Sequence, residues 1–96
     1  MKKGYASNYI INGDKTYINS LIIVENGIFI NILPLNKEYP FTKFYDGALI
    51  LTPVGATIQS NDKEITEGEK IDIWQIFNYA DCRDNKELYK TRKVTD

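Results

Sequence analysis

The most apolar stretch of the chain, residues 18–35, is cut at its centre by Glu25-Asn26-Gly27. A membrane-spanning helix needs about 20 consecutive, mostly apolar residues, so this stretch is not a membrane span. It reads as two strands joined by a hairpin, because Asn and Gly tolerate the positive φ that two-residue hairpin turns require. Polar, glycine-bearing turn signals recur at Asn12-Gly13-Asp14, Asp46-Gly47 and Glu67-Gly68-Glu69. Between them lie β-branched and aromatic runs that predict strands over 9–11, 17–24, 28–33, 42–45, 48–51 and 71–77.

Leu21, Ile22, Ile23 and Val24 form an unbroken apolar run, as expected of a strand covered on both faces. In the next run Ile28, Ile30 and Ile32 alternate with Phe29, Asn31 and Leu33, the pattern of a half-buried strand. No window keeps a helical period. Residues 79–86 alone are poor in strand formers and predict one helical turn. Residues 88–95 predict a closing edge strand, whose Lys90, Arg92 and Lys93 discourage edge-to-edge pairing. The expected fold class is all-β: a small antiparallel β-sandwich with one short helical turn near the C-terminus, with residues 1–96 forming a single domain.

Ninety-six residues fit one domain, and a hydrophobic fraction of 43% places the chain outside the disordered class. A net charge of −1 weighs against a nucleic-acid partner, since phosphate binding needs a net basic face. The single cysteine, Cys82, cannot form an intrachain disulfide, which points to a reducing, cytoplasmic setting. Its neighbours Asp81 and Asp84 disfavour a thiolate, and Arg83 partly offsets them, so Cys82 reads as a structural thiol. Lys2 and Lys3 precede the polar Gly4, Ser7 and Asn8 rather than an apolar signal segment. The sequence therefore predicts no membrane association.

Histidine is absent, which removes the commonest general base and metal ligand. One cysteine cannot build a zinc site, and no glycine-rich phosphate loop is present. Asp72 is the one carboxylate within a confident strand, while Glu64, Glu67 and Glu69 surround a turn and read as solvated charge. The expectation is a protein without catalysis, metal or cofactor.

Two segments resemble the amidohydrolases, the metal-dependent hydrolase superfamily. The first comprises the strand over 21–24, the turn Glu25-Asn26-Gly27, the alternating strand over 28–33, then Asp46-Gly47, Leu49 to Leu51 and Pro53. The second keeps the spacing Ile65, Gly68, Asp72, followed by Ile73-Trp74, with 89–94 as a weaker match to the final strand. In that family these segments flank a catalytic barrel and fold together into a β-sandwich composite domain. The resemblance implies such a domain with the barrel replaced by residues 54–64. Val54-Gly55-Ala56-Thr57 stands where the metal-binding His-x-His would follow Pro53, so the family's chemistry does not carry over.

Three roles follow as expectations. The first is a structural or protein-interaction module, self-associating or serving a protein partner, through Leu49, Ile50, Leu51 and Val54 beside the missing barrel. The alternative is a small-molecule binding module that uses Tyr39, Phe41, Phe44, Tyr45, Trp74, Phe77 and Tyr79. The third, a single-strand nucleic-acid binder, would combine such rings with Lys37, Lys43, Lys90, Arg92 and Lys93.

Overall fold

The computed structural model describes residues 1–58, 63–82 and 84–95, apart from the side chains of Cys82 and Lys86. The expectations for the Cys82 thiol and for Arg83 lie outside that description. The chain opens with a long hairpin of β1 (Lys2–Asn12) and β2 (Lys15–Glu25), turned through Gly13 at φ 65°. The next turn leads into β3 (Ile28–Pro34) through Asn26 at φ 54° and Gly27 at φ 79°. Two consecutive positive φ angles make this the primed turn that the Asn-Gly pair predicts.

Asp46-Gly47 is different. It separates β4 (Thr42–Phe44) from β5 (Ala48–Pro53), and both strands run parallel to β1, along Gly4–Ala6 and Tyr9–Asn12 respectively. The two are one strand with a kink, and the glycine makes the kink rather than a hairpin. Ser7 Oγ donates to the Gly47 carbonyl (3.0 Å) and Gln75 Nε2 to the Asp46 carbonyl (2.9 Å), so buried side chains satisfy the interrupted ladder.

The remaining strands, β6 (Ile71–Ile76) and β7 (Thr91–Lys93), pair antiparallel to complete the sheet order β3-β2-β1-β5-β6-β7, with β4 beside β1. Between them lie α1 (Tyr79–Cys82) and a single 3₁₀ turn (Lys86–Leu88). The fold is thus all-β with one short helix. It is one mixed sheet, where the hairpin signals had suggested antiparallel layers of a sandwich. The sheet also curls until the start of β3 meets the segment that leads into β6. Phe29 N–H donates to the Glu69 carbonyl (2.8 Å), Gly68 N–H to the Phe29 carbonyl (2.9 Å), and Ile28 bridges Lys70. One sheet therefore supplies every wall around the core.

The interior of this barrel holds Ile10, Ile22, Val24, Phe29, Leu49, Leu51, Ile65 and Ile73. Outside it, residues 35–41 cross over β2 and lay Leu35 and Tyr39 against Leu21 and Ile23. That crossover explains why the run from Leu21 to Val24 is buried on both faces. On the far wall, Ile58 and Tyr79 cover Ile11, Ala48, Ile50 and Ile76.

The alternation expected of β3 is reset. Val24 pairs with Phe29 and Ile23 with Asn31, which leaves Ile30 as an extra residue in a bulge. Phe29 and Ile32 consequently share the inner face, while Ile30 and Leu33 turn outward against Leu21. One inserted residue flips every later side chain.

Two edges are blunted. β7 is fully exposed and carries Arg92 and Lys93, as its sequence predicts. Beyond Phe29, β3 offers few donors: Ile32 N–H is taken by Asn31 Oδ1 (2.8 Å), and Pro34 has no N–H.

Candidate ligand site at the open end of the barrel

The four residues expected at an interface do not share a surface. Leu49 and Leu51 are fully buried in the barrel interior, and Ile50 is buried under Ile58 and Tyr79. Val54 alone of the four is exposed, at 61%. Ile58, which follows β5, and Tyr79 of α1 cover the wall that carries Ile50. In this conformation the side chains of Leu49, Ile50 and Leu51 are withdrawn from the surface.

Asp72 is buried as a structural carboxylate. It accepts a hydrogen bond from Gly55 N–H (3.2 Å) and pairs with Lys93 Nζ (3.4 Å), tying the turn after β5 to the edge strand. Glu69 is held well below the carboxylate range, at about 2, by Lys63 and by the amide and hydroxyl of Thr66. The side-chain hydrogen bond and charge of Glu64 raise Lys15. These contacts fasten turns. Among the described residues, no cluster of His, Cys, Asp or Glu has the arrangement of a metal site.

The aromatic residues disperse over several walls. Tyr39 belongs to the crossover, Tyr79 packs at a tilt against Tyr9 and Tyr89, and Trp74 donates through Nε1 to Thr52 Oγ1 (3.0 Å). Phe77 lies under Arg92, and Trp74 under Lys93. Two of the rings, Phe41 and Tyr45, meet at one end of the barrel, and there the inner face changes character.

Strand periodicity builds this end. Residues two apart on a strand share a face, so Lys3 and Tyr5 look the same way, as do Lys43 and Tyr45. Register then sets the faces. Tyr5 pairs with Ile22 and Lys3 with Val24, both core residues, while Tyr5 also neighbours Lys43 on β4. Directly paired residues lie on one face. Two Lys-x-Tyr triplets thus stand side by side, both directed along the inner face. The Tyr5 and Tyr45 rings stack at 6.0 Å with an interplanar angle of 22°, and Lys43 Nζ lies 5.3 Å from the centre of the Tyr45 ring.

Val94, near the C-terminal end, packs against the same core cluster and lines one cavity with both tyrosines. Its amide donates to the Ile73 carbonyl (2.8 Å), and Thr95 Oγ1 accepts from Ile73 N–H (2.8 Å). A cavity of about 320 Å³ opens on each side of Val94. One is lined by Tyr5, Val24, Asn26 and Ile71, the other by Phe41, Lys43 and Tyr45; Lys3 borders both. Each is of the size that small ligands occupy. No Asp or Glu lines either cavity among the described residues.

Sequence reasoning singled out Phe41, Lys43 and Tyr45 but not Lys3 or Tyr5. The signal was the repeated Lys-x-Tyr triplet, which becomes a site only through the parallel pairing of β1 with β4.

No protein family, curated protein or solved structure matches the chain. Among the described residues no helix is long and apolar enough to cross a membrane.

Proposed function

We propose that the protein is a non-catalytic binding module that seats a small molecule at the open end of its barrel. The observation that carries this reading is the paired Lys-x-Tyr triplets on the inner face, with a cavity on either side of Val94. Barrel mouths are common ligand sites because a preformed sheet positions the side chains at little entropic cost. A fragment library screened by ligand-observed NMR tests it. Hits on the wild type should be lost in Tyr45→Ala and kept in Phe44→Ala, since Phe44 projects from the other face of β4. Hits insensitive to Tyr45 would remove the site from the barrel end.

A protein-interaction role is the second reading, now resting on different residues. Phe44, 50% exposed, rims a groove of about 510 Å³ with Ala6, Leu35, Tyr39 and Pro40. Self-association through that groove should disappear in Phe44→Ala, as read by native mass spectrometry.

Descent from an amidohydrolase composite domain belongs with these proposals. Its support is that Ile58 seals one wall and Ile65 enters the barrel interior. A chain that had lost its catalytic barrel would need such a seal.

A further inference from the structure

We infer that the ligand of this cleft is a small amphiphilic anion: a carboxylate, sulfonate or phosphate carried on an aromatic or aliphatic body. The inference rests on the reading of the barrel end as a ligand site. Along the rest of the inner face the strands present Ile10, Ile22, Val24, Leu49, Leu51 and Ile73. At this end the same face presents Lys3 and Lys43. Their heads reach water, so neither bears the cost of a buried charge.

Among the described residues no carboxylate lies within 4 Å of either ammonium group. Glu25 is paired in register with Lys2, one residue from Lys3 and therefore on the opposite face. Lys93 is already held by Asp72. Two like charges border one cavity, and a bound anion relieves their repulsion.

Inward-pointing lysines also occur as guards of sheet edges. That accounts for Lys43, because β4 pairs only with β1. It does not account for Lys3, because β1 is paired on both sides and has no edge to guard. The walls beside the lysines are Tyr5, Tyr45, Phe41 and Val94. They take the apolar body while the ammonium groups take the acid.

The test is a ¹⁵N-HSQC titration with 2-naphthoate and, in parallel, its neutral isostere naphthalene-2-carboxamide. The expected result is shifts centred on Lys3, Tyr5, Lys43, Tyr45 and Val94, with naphthoate bound at least about tenfold tighter, or about 1.4 kcal/mol. That advantage should fall at high salt and vanish in the Lys3→Gln/Lys43→Gln variant, whose fold is checked by its spectral dispersion. Equal affinity for the two probes at those residues overturns the anion inference and leaves the ligand site standing. No shift at those residues with either probe overturns both. Displacement of naphthoate by an oligothymidylate assigns the cleft to nucleic acid and likewise overturns the inference.

Discussion

Asn12 and Ile65, 53 residues apart, exchange two hydrogen bonds: Asn12 Nδ2 donates to the Ile65 carbonyl (3.0 Å), and Ile65 N–H donates to Asn12 Oδ1 (2.6 Å). Asn12 is buried at the end of β1 and treats the incoming chain as a strand treats its neighbour. The contact holds Ile65 in the barrel interior. Asn12→Ala leaves a buried donor and acceptor unpaired and should cost about 2–4 kcal/mol in urea unfolding. Asn12→Asp should not rescue it, because the carboxylate cannot donate to the Ile65 carbonyl. A loss under about 1 kcal/mol in the alanine variant would mean that water replaces the amide.

Gly47 sits at φ 85°, and a Cβ there would fall inside contact distance of the Ile76 carbonyl oxygen. Gly55 has nearly the same φ, 84°, with open space around it. The pair separates conformational strain from collision. Gly55→Ala should cost about 1–2 kcal/mol from the left-handed backbone alone. Gly47→Ala should cost at least about 2 kcal/mol more, because β5 and β6 must part at the Ala48–Ile76 pair. Equal losses, read by thermal unfolding, would count against the close approach.

Gly4 and Thr42 face each other across β1 and β4, with Thr42 Oγ1 directly over the glycine and beside Leu21. This hydroxyl is buried and, among the described residues, finds no hydrogen-bond partner. Thr42→Val keeps the shape and removes the unsatisfied group, so stability should rise by about 0.5–1 kcal/mol. Gly4→Ala drives a methyl into the same spot and should cost about 1–3 kcal/mol. A destabilised valine variant would show that the hydroxyl is bonded after all.

Glu69 has a folded pKa of about 2 against an ordinary value of 4.5, the largest cause being its hydrogen bond with Lys63. A lowered carboxylate pKa contributes stability above the unfolded value and loses it as pH falls through the folded one. The contribution is therefore complete above about pH 4.5 and disappears between there and about pH 2. Glu69 is only half-buried, so screening makes the effect small and salt-dependent. Glu69→Gln should flatten the melting temperature over that window relative to the wild type, and less so at high salt. An unchanged acid limb would assign it to other carboxylates.

The strands beyond the first were legible because turn chemistry and two-residue periodicity are local. The expected start of the first strand at residue 9 missed its leading half. Gly4, Ser7 and Asn8 look like loop residues, yet Gly4 makes room for Thr42, and Ser7 supports the kink at Gly47. Local pattern could not reveal that β4 and β5 lie parallel to β1, because that pairing joins residues nearly forty apart and depends on the crossover packing over Leu21. The same gap hid the site. Each Lys-x-Tyr triplet is unremarkable alone, and only the Tyr5–Lys43 register brings two together. The burial of Ile50 was hidden for a related reason, since Ile58 and Tyr79, which cover it, come from after β5 and from α1, while Leu49 and Leu51 face the barrel interior.

Whether the open end of the barrel is the binding surface is decided by mapping amide shifts of the ¹⁵N-labelled protein against a chemically diverse fragment set. Perturbed residues should converge on Lys3, Tyr5, Lys43, Tyr45 and Val94. Hits that instead converge on Leu35, Tyr39 and Phe44, or that scatter over the sheet with no common locus, would contradict that assignment.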